Sequence, residues 1–99
     1  MKTTIQEQDG QWVAILEGTL DTPAAAETEK AMAPLNNVTG NVIIDCTELT
    51  YISSAGLRIF LGILQSVKAK GGHVYIKNIS DTVRAVFTIT GFSNIFEFM

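Results

Sequence analysis

Val42-Ile43-Ile44-Asp45-Cys46-Thr47-Glu48-Leu49-Thr50-Tyr51-Ile52-Ser53-Ser54-Ala55-Gly56-Leu57-Arg58 is the stretch on which the fold turns. It opens with three β-branched residues in an unbroken run, the pattern of a central strand buried on both faces. Asp45 stands at the carboxyl end of that run, and Thr47 to Ile52 reads as the connection beyond it. At Ser53-Ser54-Ala55-Gly56 the hydrophobic period changes from that of a strand to that of a helix. Leu57, Phe60, Leu61, Leu64 and Val67 then recur at helical spacing and predict an amphipathic helix to about Lys70, closed by Gly71-Gly72.

The same punctuation continues in both directions. Downstream, His73 to Ile79 predicts a strand in which Val74 and Ile76 share a face. Ser80 is placed to cap a further helix with Val83, Val86 and Phe87 as its buried stripe. Gly91 is its expected left-handed stop, and Ile95 to Met99 is a last strand or turn. Upstream, Thr3 to Gln8 and Gln11 to Glu17 flank Asp9-Gly10, a strong hairpin signal, and Gly18 ends the second run. Both faces of that run are apolar, so the sheet is expected to be covered on at least part of both sides. Thr22 is the expected cap of a first helix, with Pro23 at its first position, Ala24 to Ala33 as its body and Pro34 limiting it. Asn36 to Asn41 is a loop. The order β-β-α-β-α-β-α predicts an α/β fold: a mixed, mostly parallel sheet of four to five strands with helices packed on it.

The chain has 99 residues, 46% of them hydrophobic and 17% charged, a globular balance that accommodates one core and one domain, 1–99. Its seven Lys and Arg are spread thinly and the net charge is −3, so a nucleic-acid partner is not expected. No apolar segment follows the N-terminal residues to make a secretory signal. The stretch Leu57 to Leu64, interrupted by Arg58 and Gly62, is far shorter than the roughly 20 residues of a membrane span. Cys46 is the single cysteine, which suits a reducing compartment. The expectation is a soluble cytoplasmic protein.

Chemistry concentrates at Ser53 and Ser54. The first N–H groups of a helix lack partners and carry the positive end of its dipole, so an anion is favoured there. A phosphate on Ser54 would present about two negative charges to anything docking on that edge, where the bare hydroxyl presents none. The ordinary reading of a serine at a helix start is a cap worth about 1 kcal/mol, and on these residues alone it is the favoured one. Gly56 allows close approach of backbone or partner.

These residues resemble the signature of the STAS domain family of bacterial anti-sigma factor antagonists. In that signature an apolar strand ends in Asp, and after a spacer an aromatic residue leads into Asp-Ser-Ser-Gly-Leu or a variant. Val42-Ile43-Ile44-Asp45, Leu49, Tyr51, Ile52 and Ser53-Ser54-Ala55-Gly56-Leu57 match it. Gly18-Thr19-Leu20-Asp21 resembles the family's segment before its first helix, and Val86-Phe87-Thr88-Ile89-Thr90-Gly91-Phe92 its closing helix and glycine stop. The resemblance implies a protein that, when unphosphorylated, binds an anti-sigma factor and so frees a sigma factor. The anti-sigma factor it implies is a serine kinase of the histidine-kinase-like ATPase fold, opposed by a PP2C-type phosphatase. By motif position the phosphate acceptor is Ser54. Ser53 stands where the family usually has Asp, which removes a carboxylate beside the acceptor and leaves Ser53 as a rival acceptor. Ala55 replaces the second hydroxyl residue. The implied partner-binding edge comprises Asp21, Ser53, Ser54, Ala55, Gly56 and Arg58. A helix-capping role is the equal alternative for Asp21, and Asp45 reads as structural.

Other chemistries find little support. His73, the only histidine, has nothing in the sequence to orient it as a base for Ser54 and reads as a surface or edge-strand residue. Neither serine lies in Gly-x-Ser-x-Gly, and no Gly-x-x-x-x-Gly-Lys loop is present. One Cys and one His do not make a zinc site, and no cofactor is expected. Cys46 reads as a small buried residue and Trp12 as core. A phospho-switched binding protein is the leading reading. A STAS module serving another partner without phosphorylation, in a stressosome-like or lipid-transport complex, is the second, and an enzyme or small-ligand domain a distant third.

Overall fold

The computed structural model describes residues Met1–Met99. Strands β1 (Lys2–Gln8) and β2 (Gln11–Leu20) form the expected hairpin. Asp9 and Gly10 both take positive φ, 54° and 81°, the backbone twist that a two-residue hairpin turn requires. Helix α1 (Thr22–Met32) follows, and Pro34 converts its continuation into a 3-10 turn over Ala33–Asn37 that buries Leu35. Strand β3 (Val42–Ile52) leads into α2 (Ser54–Ala69), then β4 (Val74–Lys77), α3 (Asp81–Ile89), a 3-10 turn at Phe92–Asn94 and the short strand β5 (Glu97–Phe98).

The five strands lie in the order β1-β2-β3-β4-β5, antiparallel only in the opening hairpin. Each parallel step therefore uses one helix as its crossover, and successive crossovers of one hand return on one side of the sheet. Ala14, Leu16, Val42, Ile44, Val74 and Ile76 point to that side and join Met32, Leu35, Leu57, Phe60, Ile63, Leu64, Val67, Val83 and Phe87 in one core. The fully buried Phe60 lies 6.2 Å, centroid to centroid, from Phe87, which meets Phe96 and Phe98 edge-on at 5.5 and 5.7 Å. Trp12 is half-buried against this core.

Five expectations are corrected. The sheet is covered on one side only: Ile15, Ile43 and Tyr75 on the other face stay half-buried and outside the core. β2 does not end at Gly18 but continues to Leu20. Thr22 is the first helical residue of α1, and the cap is Asp21. Asp45 does not end its strand; β3 continues through Thr47 to Ile52. The pairing of β2 with β3 slips between Ile15 and Glu17 and again between Gly18 and Thr19, each slip adding a residue to β3. Asp45 secures the first irregularity, its Oδ1 accepting from the Thr47 N–H at 3.0 Å and from the Thr47 hydroxyl at 2.6 Å. β4 is shorter than the expected His73 to Ile79 and stops before Asn78, whose φ is 57°. Ser80 caps α3 as expected, accepting from the Val83 N–H at 3.2 Å, and Gly91 ends it at φ 80°.

Candidate functional site

β2 and β3 run parallel and finish level, Leu20 opposite Ile52. The next residue on each strand turns the chain into a helix. Asp21 (φ −88°, ψ 179°) and Ser53 (φ −91°, ψ 169°) both keep extended backbone while their side chains close the first turn of α1 and α2. Asp21 Oδ1 accepts from the Ala24 N–H at 3.0 Å, and Ser53 Oγ from the Gly56 N–H at 3.3 Å. The Ser53 N–H donates to the Leu20 carbonyl at 2.9 Å, extending the ladder into the cap. Two helix starts thus stand side by side on one edge of the molecule.

The adjacent serines are divided by this geometry. Ser53 is 8% exposed and committed to its cap. Ser54, the first helical residue, is exposed, and its hydroxyl makes no hydrogen bond within the chain. Gly56 faces inward: a Cβ there would stand 2.8 Å from Leu20 Cγ and 2.9 Å from Ile52 Cγ1. The close approach that this glycine permits is by those two side chains, which seat the first turn of α2 on the strand ends. Ala55 is half-buried and Arg58 exposed. Both line a shallow hollow of about 350 Å³ with Ile59 and, from α1, Thr22, Ala25, Ala26 and Glu29. Of the residues that the sequence places at this edge, Ser54, Ala55 and Arg58 therefore face outward, and Ser53 and Gly56 face inward. Asp21 is half-buried at its cap.

Two residues beside this edge were not assigned to it by sequence reasoning, although Tyr51 stood in the matched motif. Tyr51 is 45% exposed just before the caps, at the second bulge, which is laced by the Thr50 hydroxyl donating to the Gly18 carbonyl at 3.0 Å and lying 3.1 Å from the Thr19 hydroxyl. Glu29 reaches the hollow from α1; its spacing from Ala25 and Met32 is the signal that puts it on the α2-facing stripe.

His73 lies at the opposite end of β3. Its N–H donates to Asn41 Oδ1, its carbonyl accepts from the Val42 N–H, and its ring contacts Glu97 Oε2 at 2.9 Å. The length of β3 separates it from Ser54, on the order of 30 Å, so the two make no nucleophile–base pair. Cys46 is fully buried, and burial, with the Asp45 charge beside it, pushes its thiol up to about 12, away from the thiolate that nucleophilic or redox chemistry needs. No helix is long and apolar enough to cross a membrane.

The contacts thus build a one-sided α/β sheet whose second and third strands end in paired, capped helix starts, one bearing an exposed serine. The STAS domain profile matches residues 2–99, and the chain belongs to that family. It is 34% identical over 97 residues to BtrV of Bordetella bronchiseptica, a protein proposed to be an anti-sigma factor antagonist; the match covers 97% of this chain and 84% of BtrV. It is 32% identical over 95 residues to the anti-sigma-B factor antagonist of Listeria monocytogenes, covering 94% of this chain and 83% of that protein. Among solved structures, the anti-sigma factor antagonist SpoIIAA superposes in its unphosphorylated form with a TM-score of 0.75 at 21% identity, covering 99% of this chain and 87% of its own. The phosphorylated form of the Bacillus protein gives 0.74 at 21% identity, covering 99% and 91%.

Proposed function

We propose that this chain is an anti-sigma factor antagonist switched at Ser54. In its unmodified form the edge carrying Ser54, Ala55 and Arg58, with Asp21 and the α1 side of the hollow, docks on an anti-sigma factor and displaces the sigma factor. The anti-sigma factor is a serine kinase with a histidine-kinase-like ATPase fold. Ser54 Oγ attacks the γ-phosphorus of ATP, the bond to the β-phosphate oxygen breaks, ADP leaves, and a kinase base takes the hydroxyl proton. A PP2C-type phosphatase returns the serine by hydrolysis. The phosphate brings about two negative charges to a surface that otherwise offers a neutral hydroxyl, and binding is lost by repulsion and desolvation.

One observation carries this reading. Of the two adjacent hydroxyls, Ser53 is buried in its cap, and Ser54 is exposed and unengaged, so a kinase meets one acceptor only. The relatives named above support the partner class.

The test is incubation with ATP and the kinase-type anti-sigma factor encoded nearest in the same genome, with the phosphate mapped by mass spectrometry. The expected result is modification of Ser54, lost in Ser54→Ala, and calorimetric binding kept by Ser54→Ala and weakened in Ser54→Glu. Phosphate on Ser53 or on no serine, together with Ser54→Glu binding as tightly as the unaltered protein, overturns the proposal.

A further inference from the structure

Arg58 is the one cation on the outward face of the first turns of α2, and it is unpaired. Among the ion pairs of the molecule, Lys2 with Glu17 and His73 with Glu97, it takes no part, nor does it hydrogen-bond to any group. It lies four residues after Ser54. In a helix these two positions are neighbours on one face, with Cβ atoms about 5–6 Å apart. Arg58 borders the hollows between α1 and α2 together with Glu29, and the rotamers that helical side chains favour point toward the N-terminus, which puts the turn carrying Ser54 within its range. The residues of the turn between them are small or buried: Ala55 is half-buried, and Gly56 and Leu57 are buried.

We propose that Arg58 is the receiver of the Ser54 phosphate, closing an intramolecular guanidinium–phosphate pair that exists only in the modified protein. The inference rests on Ser54 being the modified residue. A planar guanidinium matches two phosphate oxygens at once, and an acid N-terminal to a base at this spacing is the favoured order. The competing carboxylates are few. Asp21 is held by its own cap, and Glu29, which lines the hollow with Arg58 from α1, forms no ion pair with it. The consequence is a switch with two components. Modification adds a phosphate, and it also withdraws a free cation that the unmodified edge presents to a docking partner.

The experiment uses the full chain with phosphoserine installed at position 54 during translation, so no kinase is needed. Phosphorus NMR then follows the titration of the phosphate in the otherwise unaltered protein, in Arg58→Gln and in Arg58→Lys. The unaltered protein should titrate lower than Arg58→Gln by about 0.3 pH unit, the strength of an exposed pair at this spacing expressed as a shift. The difference should shrink as salt is raised, and Arg58→Lys should keep part of it. Arg58 is exposed, so unphosphorylated Arg58→Gln should melt with the unaltered protein and serves as the folding control. Identical titration of the two phosphoproteins overturns the pairing. Failure of a kinase to modify Ser54 leaves this result standing and counts only against the proposed function.

Discussion

The backbone N–H of Ser53 donates to the carbonyl of Leu20 at 2.9 Å, and that bond fixes the start of α2 to the end of β2. With its amide tied back to β2 and its hydroxyl in the cap, Ser53 is structural, and Ser54 is left free. Ser53→Ala should cost about 1 kcal/mol by loss of the cap, whereas Ser54→Ala should stay within about 0.5 kcal/mol of the unaltered protein. Ser53→Asp should retain the cap, because Asp serves that position equally well. Urea denaturation of the three variants checks the order.

Two glycines of α2 should respond in opposite directions. A methyl group on Gly56 meets Leu20 and Ile52 below 3 Å, so Gly56→Ala should destabilise by about 1–3 kcal/mol. Gly62 has no neighbour within 4 Å of its added Cβ, and Gly62→Ala should stabilise by about 0.5–1 kcal/mol through the unfolded chain. Thermal melts that move the same way would contradict the seating of α2 on Leu20.

Phe60 has no exposed surface and packs on Phe87. Phe60→Ala should lose about 3–5 kcal/mol, a large part of the roughly 5–15 kcal/mol available to a domain of this kind. An unchanged denaturation midpoint would mean that α2 turns a different face to the sheet.

Cys46 gives the chain a pH signature in the alkaline range. Burial, and secondarily the Asp45 charge, raises its thiol from the ordinary 9.0 to about 12 in the folded state. The folded protein therefore favours the protonated thiol. Its contribution is complete below about pH 9 and is lost as the pH rises from there through about 12. The stability advantage of the unaltered protein over Cys46→Ala should shrink across that window. At pH 8 a thiol reagent should label Cys46 only after denaturant is added.

The order of elements and the paired helix starts that frame the candidate site were legible in the sequence because each boundary carries a local chemical mark: Asp9-Gly10, Thr22-Pro23, Ser53-Ser54, Ser80 and Gly91. The far half of β3 was not. Val42, Ile44 and Cys46 are buried at alternate positions, but the next buried residues are Leu49 and Ile52, three apart. The two register slips shift the side-chain phase there, so the stretch imitates a loop. Bare faces are equally hard to read. Val13 and Ile15 suggested cover on both sides, yet cross-strand neighbours shelter much of them without any helix. Which of two adjacent serines is the cap is likewise invisible in sequence, since both have the chemistry and only the Leu20 bond decides.

The aromatic contacts tie early and late parts of the chain together in time as well as in space. Both helix starts are complete by residue 58, but the second stands on Phe60, which leans on Phe87, which in turn leans on Phe96 and Phe98. During synthesis a nascent chain will therefore display Ser54 well before it has the platform that holds that serine in place. Any interaction that depends on the seated edge must wait for residues 96–98 to emerge.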